Sequence, residues 1–142
     1  MLFGKRERLI RRIMIVEDEP LVAFENENML QDADYEVVAT VDSFADAAAV
    51  IAAELIDLIL TDIGLAGEGD GIDVARAAAA KGVPVLFVTG NCSEEAQGLA
   101  LGCLSKPYTE RDLLNALEAV DDHLQGREPK RVPEQLTLYI RA

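Results

Sequence analysis

The chain has 142 residues, 13 basic and 26 acidic side chains, and a formal net charge of −13. That length suits one domain with one sizeable core, and a half-apolar composition excludes intrinsic disorder of the whole. No apolar run approaches the ~20 residues of a membrane-spanning helix, and the charged residues 1–12 lack the apolar stretch of a secretory leader.

In chain order, residues 13–16 (Ile-Met-Ile-Val) form an apolar run ending in Glu17-Asp18-Glu19-Pro20, which predicts a buried strand entering a loop. Residues 21–33 read as a one-faced helix with Leu21, Val22, Phe24, Met29 and Leu30 on its apolar side. A second strand spans 35–41, and Asp42 or Ser43 caps an Ala-rich helix to about Leu55, with Phe44, Ala47, Ala48 and Ile51 inward. Residues 56–61 predict a third strand stopping at Asp62, followed by a Gly-rich loop over 64–71. A helix over 72–81 closes at Gly82, and a fourth strand covers 83–88 before Thr89-Gly90. A short fourth helix spans 93–101, and residues 103–105 make a brief fifth strand before Lys106-Pro107. Thr109 and Asp112 form a capping-box variant for a last helix reaching about Leu124.

Strands alternating with helices predict an α/β parallel sheet covered on both faces. The functional crevice of such a fold lies outside the carboxyl ends of its strands. Those ends carry Glu17-Asp18, Asp62, Thr89 and Lys106. Three carboxylates in one crevice require a cation to stay ionised together, and oxygen-only ligands select a hard ion such as Mg²⁺. With an ammonium and a hydroxyl beside them, the set suits an aspartyl phosphate with Asp62 as nucleophile. A Mg²⁺-dependent phosphatase of the aspartyl-phosphate type is disfavoured, because Gly64 stands where such enzymes carry a general-acid aspartate.

The acidic pair Glu17-Asp18, Asp62 forty-four residues after Asp18, Thr89, and Lys106-Pro107 together make residues 11–124 resemble a two-component response regulator receiver domain. The resemblance implies a flavodoxin-like (βα)5 doubly wound parallel sheet of order 2-1-3-4-5. It implies Asp62 as phosphoacceptor, with Lys106, the Thr89 hydroxyl and the Gly90 backbone on the phosphoryl oxygens. Mg²⁺ would be held by Asp18, Asp62, the Gly64 carbonyl and, through water, Glu17. A cis Lys106–Pro107 peptide is expected. Implied partners are a sensor histidine kinase or phosphotransfer protein, with output by protein–protein contact or as a phosphate sink; the alternative is a receiver-like interaction module that is not phosphorylated. Two departures stand out. Cys103 occupies the place of the usual switch aromatic, and only sixteen residues separate Thr89 from Lys106. With Phe87-Val88-Thr89-Gly90, these features resemble a subgroup of often stand-alone receivers marked by Phe-x-Thr-Gly.

Charge is unevenly placed. Residues 13–124 hold 4 basic and 23 acidic side chains, a net of −19, between two basic ends. Such a body repels nucleic-acid phosphates and favours a cation or a basic partner, so neither nucleic acid nor membrane is expected to bind. Cys92 and Cys103, without a CxxC, read as packing residues rather than a disulfide or metal site, which places the chain in the cytoplasm. Residues 1–10 read as a basic arm and 125–142 as a linker with an alternating strand pattern at Leu136, Leu138 and Ile140. That strand is expected to add to a sheet edge, in its own chain or a neighbour's. A homodimer would use it, or the face of the fourth helix, fifth strand and last helix.

Overall fold

A computed structural model of the chain describes residues 7–92 and 97–139. Its elements are β1 (Arg12–Val16), α1 (Pro20–Asp32), β2 (Glu36–Val41), α2 (Phe44–Ala53), β3 (Leu58–Thr61), α3 (Gly71–Ala80), β4 (Val85–Thr89), β5 (Gly102–Ser105), α4 (Glu110–Leu124) and β6 (Leu136–Leu138). The six strands form one sheet in the order β2-β1-β3-β4-β5-β6. The first five pair in parallel, and β6 runs antiparallel to β5. This is the expected flavodoxin-like arrangement, with the tail strand added to its own chain's sheet.

Alternation along each strand splits the core into two layers. Ile13, Ile15, Leu58, Leu60, Leu86, Val88 and Leu104 pack against Leu30 of α1 and Leu113, Ala116, Leu117 and Val120 of α4. Met14, Val16, Ile59, Val85, Phe87 and Cys103 face the other side, against Ala47 and Ile51 of α2 and Ile72, Val74, Ala75 and Ala78 of α3. The continuous apolar runs of β1, β3 and β4 follow, because both of their faces are covered.

Caps fix where the helices begin. Ser43 accepts from the Asp46 N–H, and reciprocal capping boxes join Asp70 to Asp73 and Thr109 to Asp112. Gly82, at φ +73°, sits just past α3 as expected. The face of α1 differs from the sequence reading. Ala23, Asn26 and Leu30 are buried, while Leu21 and Phe24 are 69% and 62% exposed. Pro20 starts the helix, and the Asn26 carboxamide accepts from the Tyr108 hydroxyl at 3.1 Å, so a polar residue holds the inner face.

Residues 93–96 of the expected fourth helix lie outside the described residues, and 97–100 form turns rather than helix. The helix after β5 is therefore α4. The cysteines also differ from expectation: Cys92 and Cys103 form a disulfide with a Cα–Cα distance of 6.0 Å. Folding brings the loop after β4 beside β5, a proximity that a separation of 11 residues does not reveal. The sequence argument from unpaired cysteines to a cytoplasmic setting loses its premise. Among the described residues no helix is long and apolar enough to cross a membrane.

Both ends of the described chain close onto the body. The Leu9 and Ile10 N–H groups donate to Asp121 at 3.3 and 3.0 Å, and Ile10 is 1% exposed. The Arg11 and Arg12 N–H groups donate to Asp57 at 2.9 and 2.8 Å. Lys5, Arg6, Ile140 and Arg141 lie outside the described residues. At the other end β6 is admitted by Gly102, where a Cβ would collide with the Thr137 carbonyl and meet the Leu138 Cα at 3.2 Å. Gly102→Val is expected to lift β6 from β5, at a cost of about 1–3 kcal/mol. Urea denaturation with hydrogen exchange of Leu136–Leu138 checks this.

Tyr35 gives a pH signature. Burial pushes its phenol up to about 12, against the opposing charge of Arg8, whose guanidinium lies 4.2 Å from the ring centroid. The folded chain thus holds the phenolic proton more tightly than the unfolded one. The corresponding stability is intact below about pH 10 and falls as pH rises toward about 12. Tyr35→Phe should flatten this alkaline loss in urea titrations across that window.

Candidate functional site

The carboxyl ends of the central strands deliver the polar residues in register. The Glu17 N–H donates to the Val41 carbonyl at 2.9 Å, Asp62 to Val16 at 3.0 Å and Lys106 to Thr89 at 2.9 Å. Each is the first residue beyond a strand, and the ladder that organises the sheet continues one step to fix it. Backbone pairing of Val16 with Thr61 puts the β1 and β3 ends level, and pairing of Thr89 with Ser105 does the same for β4 and β5.

Glu17, Asp18 and Asp62 each offer a carboxylate oxygen, and these lie within 4.8 Å of one another. Lys106 Nζ donates to Glu17 Oε1 and Asp62 Oδ2, both at 2.9 Å, and lies 3.8 Å from Glu19. Its 20% side-chain exposure leaves little water to screen these pairs. Burial disfavours the charged ammonium, but the hydrogen bonds and charges of Glu17 and Asp62 outweigh it and hold Lys106 above its ordinary range.

Glu17 is 4% exposed, and burial pushes its carboxyl up against the opposing bonds from Lys106 and the Glu19 N–H. Those bonds occupy both oxygens, Oε1 toward Lys106 and Oε2 toward Glu19 at 3.1 Å. Asp18 and Asp62 instead face an open cleft of about 610 Å³. Thr89, Gly90 and Asn91 line it together with Ile63, Gly64, Asp70 and Ile72. The Gly64 N–H donates to Asp62 Oδ1 at 3.3 Å.

The Gly-rich loop closes against the end of β3 through one close approach. The Gly71 N–H donates to the Ile63 carbonyl at 2.7 Å, and a Cβ at 71 would collide with the Asp62 carbonyl. Any side chain there would displace Asp62. The Asp70 capping box then starts α3 beside the same cleft. Sequence reading missed Glu19, Asp70 and Gly71 as parts of the site. The run Glu17-Asp18-Glu19 was a signal for the first, and the spacing of Asp70 and Asp73 was one for the second.

All the expected site residues come together: Glu17, Asp18, Asp62 and Lys106 in one charge cluster, and Gly64, Thr89 and Gly90 on the walls. The Lys106–Pro107 peptide is cis, as expected. The donor set fits a hard divalent cation. It is all oxygen, anionic in excess of the single ammonium, and open on the side of Asp18 and Asp62.

Residues 13–118 match the family described as response regulator receiver domain. A transcriptional regulatory protein, PdtaR, of Mycobacterium tuberculosis is 31% identical over 114 residues, covering 76% of this chain and 55% of that protein. The chain thus spans about half the length of the curated relatives it matches. A CheY-like receiver domain protein of Methanospirillum hungatei superposes with a TM-score of 0.73 at 27% identity, over 82% of this chain and 98% of that one. The receiver domain of the sensor histidine kinase PA1611 of Pseudomonas aeruginosa, solved with a magnesium ion coordinated in its active-site cleft, superposes with a TM-score of 0.67 at 26% identity, over 76% and 94% of the two chains. With its sheet order, its acidic cleft and this match in hand, the chain belongs to the response regulator receiver domain family.

Proposed function

We propose that the chain accepts a phosphoryl group from a histidine-kinase or phosphotransfer-protein phosphohistidine onto Asp62. The observation that carries this reading is Lys106, which reaches Asp62 and Glu17 at 2.9 Å each while leaving Asp18 and Asp62 open to the cleft. An Asp62 oxygen attacks phosphorus, the P–N bond breaks, and the imidazole leaves with the bond's electron pair. Lys106 and the Thr89 hydroxyl, with the Gly90 backbone, would hold phosphoryl oxygens, so the protein's work is positioning and charge neutralisation.

Asp18, Asp62 and the Gly64 carbonyl would hold Mg²⁺, which supplies positive charge to offset the carboxylates and the incoming phosphoryl group. Glu17 acts one layer out. With both oxygens engaged it fixes the ammonium and, through water, would complete the ion's surroundings. Output runs through contact with another protein, or the chain drains phosphate from its kinase. The strongly acidic body argues against binding nucleic acid directly.

Incubation with acetyl phosphate and Mg²⁺ is expected to add one phosphoryl mass by intact mass spectrometry, and Asp62→Asn to add none. Retained labelling in that variant would refute the assignment. A folded wild-type chain that never gains the mass would instead favour an interaction module.

A second prediction concerns charge. In chelator-containing buffer Asp18→Asn relieves repulsion from Asp62 and should stabilise the chain by about 1 kcal/mol. The same change should remove most of the stabilisation that added Mg²⁺ gives the wild type. Urea denaturation with and without Mg²⁺ measures both effects.

A further inference from the structure

The disulfide joins two unlike places. Cys103 is 0% exposed on β5, between Phe87 of β4 and Thr137 of β6 in the sheet, and packs in the layer that includes Phe87 and Ala100. Cys92 is exposed, and it directly follows Asn91, the last residue of the Thr89-Gly90-Asn91 wall of the cleft. The bridge therefore ties the end of a cleft wall to the buried centre of the sheet.

β4 ends at Thr89, and residues 97–100 form turns that rejoin the sheet where the Leu101 N–H donates to the Val85 carbonyl at 2.8 Å. Without the bridge, Cys103 remains a small buried side chain that the core accommodates unchanged. Cys92, on the surface, would be released. A disulfide with one exposed half-cystine is open to thiolate attack, and such bonds are the labile and regulatory ones.

We propose that Cys92 and Cys103 form a reversible thiol–disulfide site that tethers or frees the Gly90–Asn91 end of the cleft wall, beyond the strand-held Thr89. The reductant is a dithiol. One thiolate attacks the Cys92 sulfur, making a mixed disulfide and expelling Cys103 as a thiolate that takes a proton. The second dithiol sulfur attacks the reductant's own sulfur in that mixed disulfide, closing a cyclic disulfide and releasing Cys92. Two electrons and two protons pass to the cystine, and the dithiol is oxidised by two electrons. The oxidised form holds the wall ordered in advance, so a group entering the cleft pays less ordering cost than in the reduced form. The effect on phosphorylation rests on the phosphoacceptor reading above; the redox site itself does not.

The full chain, air-oxidised or treated with dithiothreitol under native conditions, is quenched in denaturant with N-ethylmaleimide. Intact mass should show no adduct in the first case and two in the second. Two adducts without dithiothreitol, or none after native treatment, would overturn the proposal. Hydrogen exchange of Gly90, Asn91 and residues 97–101 should be about fivefold faster in the reduced chain and in Cys92→Ser, with β1 and β3 unchanged. Superimposable exchange in the two states would overturn the tether. Labelling by acetyl phosphate should be about threefold slower in the reduced chain and in Cys92→Ser, whose rate dithiothreitol should not alter. Equal rates in both states would remove the coupling to phosphorylation. Absence of labelling in both states would sink the phosphoacceptor reading instead, and the adduct and exchange results would still decide the redox site.

Discussion

One ammonium among three carboxylates governs this molecule. Lys106 sits 2.9 Å from both Glu17 and Asp62 because parallel pairing levels the ends of β1 and β3, while β5, whose Cys103 lies opposite Phe87 and so level with Thr61, runs two residues farther and carries Lys106 directly after its end. Burial pushes the Glu17 carboxyl up, and the Lys106 hydrogen bond and charge oppose that push. Lys106 does not balance the cluster, since Asp18 adds a further negative charge on the open side. The remaining imbalance fits the cleft to a hard cation, and on the function proposed above that cation would offset an incoming phosphoryl group.

The rest of the fold can be read as the support for that arrangement. Two apolar layers hold the strands in one twisted sheet, and the site residues inherit their positions from the ladder rather than from the loops that carry them. Gly71 closes the β3–α3 loop against the Asp62 backbone, and the Asp70 cap starts α3 at the cleft edge. Asn26 on the inner face of α1 accepts from Tyr108, two residues beyond Lys106, which ties the β5 end to the helix that follows β1. The added strand β6 covers the edge that β5 would otherwise present, so the last strand on this side of the sheet is β6.

Cys103 changes how the receiver frame is used. In the place of an aromatic that could swing between core and surface stands a half-cystine fixed to the end of the cleft wall. Packing at β5 and the geometry of the Thr89–Asn91 segment are thereby joined by a covalent bond. Beside it the Tyr139 ring packs on the same layer, its hydroxyl enclosed without a hydrogen-bond partner, and burial raises its phenol. The C-terminal strand thus supplies aromatic bulk on the side of the sheet that carries Cys103.

Legible in the amino-acid sequence alone were the order of the five parallel strands, the four described helices, the caps at Ser43 and Thr109, the turn at Gly82 and the acidic, basic and hydroxyl residues of the cleft, though not the turns that stand at 97–100 in place of the expected helix. All of these are written in local patterns: apolar runs of strand length, capping spacings, and polar residues placed directly after strands. Tertiary structure decided what depends on distance in space. It turned Leu21 and Phe24 outward, since the inner face of α1 is set by where Asn26 meets Tyr108. It recruited Glu19, Asp70 and Gly71 to the site, buried Ile10 against α4, and chose β5 of the same chain as the partner of β6. It also joined Cys92 to Cys103, because only folding brings the loop after β4 within disulfide reach of β5.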